Sequence, residues 1–247
     1  MNKLPVLISI PHGGTKIPGE LASRLLLEEA EIFEDIDPFT QEIYDIGRKA
    51  FRVLSTPFAR TAVDLNRAPD DLPPANPDGV IKSKTCFGKP VYKPGLQPDA
   101  GLVSTLIKKY YHPYHQQIQS ILENNRENIE LSLDCHSMTE KGPEIAPDTG
   151  EKRPLVCLGN RFGESLSHDK TGRLAECFVR GFNINDRDLT VNEPFAGGYI
   201  TRRYSSPDTP WIQVELNRAL YLTSSFSKKR LRELRSRFLS ALQLYFS

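Results

Sequence analysis

Asp134 and His136 stand two residues apart in the run LSLDCHSM (131–138), an apolar stretch that closes on polar residues. Alternating residues of a strand share one face, so as a strand this run presents both side chains to one site. An earlier run, LPVLISIPHGG (4–14), has the same build, with apolar residues leading to His12 and a glycine pair. Two apolar runs that each end in histidine suit one divalent metal, for which neutral imidazole is the commonest ligand. A third run, WIQVE (211–215), delivers Glu215 to its end. Together these residues fit zinc-dependent hydrolysis of an amide. The metal polarises the carbonyl and acidifies a water, and a carboxylate outside the ligand set carries the proton to the leaving nitrogen.

Other polar residues fill in the candidate site. The elbow Glu34-Asp35-Ile36-Asp37-Pro38 offers a carboxylate ligand, Asp35 or Asp37, although Asp37 followed by Pro38 also reads as a helix N-cap. Asn66-Arg67, just past an expected strand, suits bidentate capture of a substrate carboxylate, with a surface ion pair as the plain alternative. The segment NEPFAGGYITRRY (192–204) gathers Tyr199 and Arg202, and equally reads as a hairpin with a solvated basic end. Gly13-Gly14 lacks the G-x-x-x-x-G-K pattern of a phosphate cradle. His112 and His115 share an i, i+3 helical spacing, but packing or solvation accounts for them.

The expected scaffold is α/β: a mixed, mostly parallel sheet flanked by helices, with the site at the carboxyl ends of the strands. Strands are expected at 6–10, 52–54, 59–65, 131–138, 155–159 and 211–215. Helices are expected at 20–30, 39–51, 102–124 with a kink at Pro113, 170–181 and 224–246. A single domain over 1–247 accommodates them. Residues 70–96 turn to Pro, Asn, Asp, Gly and Lys, an excursion of the kind that forms a lid.

With 32 Lys+Arg against 31 Asp+Glu, the net charge of +1 provides no field for nucleic acid or an anionic membrane. No run approaches the roughly 18 apolar residues of a membrane span, and the start has no signal-peptide pattern. The basic residues of 224–246 alternate with apolar positions, as in a helix packed on a sheet. The four cysteines are far apart with no Cys-x-x-Cys pairing, which fits reduced thiols in the cytoplasm. The expected partner is a small acidic substrate, and the oligomeric state is not legible.

An ordered set of motifs carries a family resemblance. It comprises Pro11-His12-Gly13-Gly14, Asp35-Ile36-Asp37, Ala59-Arg60 through Asp64-Leu65-Asn66-Arg67, Phe87-Gly88 with Val91-Tyr92, and Tyr111-His112-Pro113-Tyr114-His115. It continues through Asp134-Cys135-His136-Ser137, the stretch from Phe195 to Arg202, and Gln213-Val214-Glu215. In this set the chain resembles the N-formylglutamate amidohydrolases, which are close in fold to zinc carboxypeptidases and to succinylglutamate and aspartate deacylases. The resemblance implies a zinc-carboxypeptidase-like domain with His12 and His136 on zinc and Glu215 as general base. It places Asn66 and Arg67 on a substrate carboxylate, with Tyr199 and Arg202 as further substrate contacts.

The chain departs from that pattern twice. Thr15 stands three residues after His12, where zinc carboxypeptidases carry a ligand Glu, so Asp35 or Asp37 is the expected third ligand. Arg203 stands where related deformylases carry His, and Ser205-Ser206 replaces a Tyr-Gly-like continuation, which leaves the acyl group open. The implied reaction is hydrolysis of N-formyl-L-glutamate to formate and glutamate. The alternatives are a deacylase or carboxypeptidase-like hydrolase acting on another acidic N-acyl compound or short peptide, and a non-catalytic binder of an acidic metabolite. Zinc suits the imidazoles best, and cobalt or manganese substitutes in such sites.

Overall fold

The computed structural model describes residues 3–144 and 146–247. Its first half runs β1 (Leu4–Ile10), α1 (Gly19–Ala22), α2 (Glu29–Asp35), α3 (Thr40–Tyr44), β2 (Ala50–Ser55), α4 (Ala100–Leu106) and α5 (His112–Asn125). The second half runs β3 (Leu131–Met138), β4 (Val156–Gly159), α6 (His168–Phe182), β5 (Leu189–Val191), α7 (Tyr199–Tyr204), β6 (Trp211–Asn217) and α8 (Lys228–Tyr245). The apolar runs that end in His12, His136 and Glu215 become β1, β3 and β6, neighbours at the centre of a six-stranded sheet of order β2-β1-β3-β6-β4-β5. β2, β1, β3 and β6 are parallel, whereas β4 runs antiparallel to β6 and pairs in parallel with β5.

The two faces of the sheet differ in chemistry. On one, Ile8, Leu133 and Val214 join α3, α6 and α8 in a continuous apolar core. On α8, Leu231, Leu234, Phe238, Ala241 and Leu242 face this core, so the basic helix covers the sheet. Burying each Leu or Phe stabilises the packing by about 1.5–3 kcal/mol. On the opposite face Leu7 and Trp211 pack with Tyr114 and Ile118 of α5 and with Ile200. Towards the carboxyl ends that second face turns polar: Ser9, Asp134, His136, Gln213 and Glu215 are all buried. Buried polar groups are costly unless paired, and their partners define the site.

Several local expectations are corrected. Residues 59–65 are turns rather than a strand: Ala62, Val63 and Leu65 are apolar because they pack in the second core cluster, not because a sheet alternates. Of the expected 20–30 helix only 20–22 (in α1) and 29–30 (the start of α2) are helical, and the expected 39–51 helix ends at Tyr44, ahead of β2 at Ala50. Residues 192–204 form no hairpin, since α7 occupies Tyr199–Tyr204. Pro113 does not break the long helix. A π-helical turn over Ile107–Tyr111 immediately precedes it and accommodates the missing N–H.

The 70–96 excursion is tied to the end of α2 and to the 59–65 turns. Lys82, fully buried, reaches Asp35 at 3.3 Å and Asp78 at 2.6 Å, while Cys86 N donates to Asp35 Oδ1 and Asp64 N to Val80 O. Asp78, Cys86 and Phe87 of this excursion line the cavity described below. Among the described residues, no helix is long and apolar enough to cross a membrane.

Candidate active site

His12 follows β1, His136 lies in β3, and Asp37 stands two residues beyond α2. Their side chains converge in the interior, where His136 Nδ1 lies 3.1 Å from His12 Nδ1 and 3.1 Å from Asp37 Oδ2. His12 Nδ1 is 3.5 Å from the same oxygen. Three donor atoms at these separations match three corners of a tetrahedron around an ion with bonds of about 2.0–2.1 Å, whose edges are roughly 3.3 Å. The trio is buried and forms one group of metal-ligating type.

A carboxylate stands behind each imidazole, and the one behind His12 is hydrogen-bonded to it. His12 Nε2 lies 2.7 Å from Asp64 Oδ1, and His136 Nε2 lies 3.1 Å from Asp134 Oδ2. The Asp64 contact fixes the His12 ring, as a carboxylate commonly does behind a metal-binding histidine, whereas Asp134 Oδ2 makes no hydrogen bond among the described residues and stands beside His136 only as a nearby charge. Both Nδ1 atoms face Asp37. Asp64 is held in turn by Arg60, whose Nε and Nη2 donate to Oδ2 at 3.0 and 2.6 Å. Arg218 Nη2 donates to Asp37 Oδ1 at 3.3 Å, which leaves Oδ2 for the imidazoles. Burial works against the ionised form of Asp37, but His12 and His136 hold its carboxyl well below the usual range. Burial likewise opposes charge on His136, and Asp134 and Asp37 outweigh it and raise that imidazole well above its ordinary value.

Asp35 is not in this trio. Its Oδ2 accepts from Thr61 Oγ1 at 2.8 Å, Oδ1 accepts from Cys86 N at 3.1 Å, and Lys82 Nζ lies 3.3 Å away. Of the two acids in the elbow, the chain brings Asp37 to the histidines. Because Asp35 closes α2 and Ile36 after it is extended, the two side chains diverge.

Glu215 is the register partner of His136 on β6 and lines the same cavity of about 410 Å³ as the trio. Burial pushes its carboxyl up to about 7, with His136 opposing and Asp37 adding to the rise. Gln213 Nε2 donates to Glu215 Oε1 at 2.8 Å, and Gln213 Oε1 accepts from Gly198 N at 2.6 Å, so the Glu215 carboxyl is tied to the segment before α7. A carboxyl that titrates near neutrality suits proton transfer. A larger cavity of about 1100 Å³, lined by Leu72, Ile81, Tyr92 and Val103, opens away from these residues and contains neither the trio nor Glu215.

The expected substrate contacts divide. Arg67 lines the cavity, with Nε and Nη2 on Asp78 O and Oδ2 at 2.8 and 2.7 Å. Asn66 also lines it, but its amide bridges two parts of the site: Oδ1 accepts from Ile200 N at 2.7 Å and Nδ2 lies 3.1 Å from His136 Nε2. Tyr199 and Arg202 lie outside the cavity, in a shallow recess that shares Asn66, Arg67, Gly197 and Gly198 with it. Arg202 stands over the Tyr199 ring at 5.8 Å.

Sequence reasoning did not give site roles to Asp64, Arg60, Gln213, Arg218 or Arg153, all of which line the cavity or touch a residue that does. The signal for the first two was the i, i+4 pair Arg60 and Asp64 beside Asn66-Arg67, and for Gln213 the two-residue spacing to Glu215. No local pattern marks Arg153.

These features define an α/β protein with a buried His/Asp/His centre of metal-binding type and a raised-pKa glutamate in the same cavity. The family model for N-formylglutamate amidohydrolase matches residues 4–222, and the chain belongs to that family. It is 29% identical over 227 residues to the N-formylglutamate deformylase of Pseudomonas putida, covering 89% of this chain and 82% of that one. The N-formylglutamate deformylase of Pseudomonas aeruginosa is 28% identical over 227 residues, with 89% and 83% covered. Among solved structures, the N-formylglutamate amidohydrolase of Ralstonia eutropha JMP134 superposes with a TM-score of 0.81 at 20% identity, covering 100% of this chain and 94% of that one. The enzyme class is therefore that of an amidohydrolase, acting on an amide C–N bond.

Proposed function

We propose that this protein is a zinc-dependent amidohydrolase that cleaves an N-acyl acidic amino acid, with N-formyl-L-glutamate as substrate and formate and glutamate as products. The observation that carries the reading is the placement of Glu215 beside a buried trio of two imidazoles and a carboxylate, inside one small cavity. The name shared by the curated relatives supports the substrate.

His12, Asp37 and His136 are the residues that would hold zinc, and when bound it supplies a Lewis acid for the amide carbonyl and lowers the pKa of water. Glu215 removes a proton from the attacking water and returns it to the amide nitrogen as the C–N bond breaks. Arg67, whose guanidinium is already aligned by Asp78, takes a substrate carboxylate through its remaining N–H groups. Asn66 keeps His136 and α7 in place rather than meeting the substrate first. Four free thiols fit a cytoplasmic setting.

The acyl group is tested by comparing turnover of N-formyl-, N-acetyl- and N-succinyl-L-glutamate. The fastest turnover is expected for the formyl compound. A faster acetyl or succinyl reaction would move the protein to the deacylases, and binding without turnover of any of them would make it a binding protein.

A further inference from the structure

Four arginines line the reacting cavity: Arg60, Arg67, Arg153 and Arg218. Two of them serve the metal-type centre. Arg60 closes its fork on Asp64, one hydrogen bond from His12. Arg218 is engaged by Ser137 Oγ, Glu34 O, Ile36 O and Asp37 Oδ1. Arg67 and Arg153 remain, and they are built alike from different loops. Arg67, on the β2 to α4 connection, is gripped along its Nε and Nη2 edge by Asp78. Arg153, on the β3 to β4 connection, is gripped along the same edge by Asp148, with Nε to Oδ2 at 2.6 Å and Nη2 to Oδ1 at 2.9 Å.

Arg153 is held more completely than a surface ion pair requires. Its side chain is 5% exposed, and Nη1 donates to Thr139 Oγ1 at 3.0 Å. Its guanidinium carbon stands 5.0 Å from the centre of the Phe195 ring, which lines the same cavity. Its backbone is fixed on both sides, N donating to Glu140 O and O accepting from Asn217 Nδ2. A guanidinium carries five N–H donors. Asp148 and Thr139 take three of Arg153's, and no acceptor among the described residues takes the others. A planar cation held rigid by its own aspartate, bordering a cavity with donors left over, is a preorganised carboxylate receptor.

We infer that Arg153 is the second carboxylate anchor of this cavity and the residue that selects an acidic side chain on the substrate. This rests on the N-acyl acidic amino acid reading above. With the amide at the His12, Asp37 and His136 centre, a dicarboxylic substrate presents two carboxylates, and the cavity presents two clamped arginines. Arg67 takes one carboxylate and Arg153 the other. Arg202 lies in the adjoining recess and is not needed for this recognition.

The test compares kcat/KM on N-formyl-L-glutamate with that on N-formyl-L-glutamine, which has the same shape without the side-chain charge. It uses the zinc-loaded wild type, Arg153→Met and Arg153→Lys. Arg153→Met should lower the glutamate value roughly 30- to 100-fold, the loss of a charge-assisted contact, and leave the glutamine value within about threefold. Arg153→Lys, which keeps the charge but loses the fork, should lower only the glutamate value, by about tenfold. An unchanged glutamate-to-glutamine ratio in the folded variants, or an equal fall on both substrates, would overturn the assignment. Glutarate binding followed by calorimetry gives a readout that needs no turnover: Arg153→Lys should weaken it about tenfold, and equal binding would overturn the assignment. A wild type that binds glutarate but cleaves neither formyl compound would defeat the proposed reaction and leave the role of Arg153 to be decided by that binding.

Discussion

His136 and Glu215 sit opposite one another across the β3 and β6 pair, both side chains on the buried polar face of the sheet. The proposed metal ligand and the proposed base are thus separated by the spacing of two hydrogen-bonded strands, about 4.8 Å, rather than by loops. A group held this rigidly can act without rearrangement, which favours catalysis by preorganisation.

Glu215→Gln keeps the shape of the side chain and its contact with Gln213 but removes the base. Turnover should fall by about 10²–10⁴-fold, while zinc stays bound at wild-type stoichiometry. Metal analysis of the purified variant checks this. Loss of zinc would make Glu215 a ligand instead.

Asp64 aims His12 without joining the trio. Asp64→Asn should weaken zinc affinity about 10- to 100-fold with the fold intact, as outer-shell changes do. Titration against a competing chelator measures it, and an unchanged affinity would remove Asp64 from the metal's support.

Gly198 lies where the chain passes Asn66 so closely that an added Cβ would sit 2.3 Å from Asn66 Nδ2. Gly198→Ala should displace Asn66 from His136 and from Ile200 N, lowering kcat more than tenfold with a small change in thermal midpoint. Near-wild-type kcat would show that Asn66 does not position His136.

Lys82 is a buried ammonium facing Asp35, Asp64 and Asp78. Burial works against its charge and against that of Asp35, but Lys82 and Arg60 outweigh burial and bring the Asp35 carboxyl down to about 2. A depressed folded-state pKa stabilises the fold above the unfolded value of about 4 and ceases to do so as pH falls through about 2. Lys82→Met should therefore cost about 3–5 kcal/mol at pH 7, the penalty for a buried unpaired carboxylate, and much less near pH 2. Denaturant unfolding across that range checks it, and a penalty independent of pH would contradict it.

The scaffold was legible because its central strands are apolar runs with nothing else to become, and because the two-residue repeat of a strand puts Asp134 with His136 and Gln213 with Glu215. The choice between Asp35 and Asp37 was not. Both lie in one elbow, and only the turn out of α2 separates their directions. The 59–65 segment misled because apolar side chains can serve a loop packed against a core as readily as a strand. Arg153 and Lys82 carried no local signature either. Each acquires its meaning from partners on other segments, Phe195 for one and Asp35 and Asp64 for the other.

In the proposed reaction the trio of His12, Asp37 and His136 holds zinc for amide hydrolysis. Formate release from N-formyl-L-glutamate, measured on protein stripped with a chelator and again after zinc is restored, tests it most directly. The stripped protein should release no formate, and full release should return with zinc. Equal release in both states, or none from protein shown to have bound zinc, would contradict it.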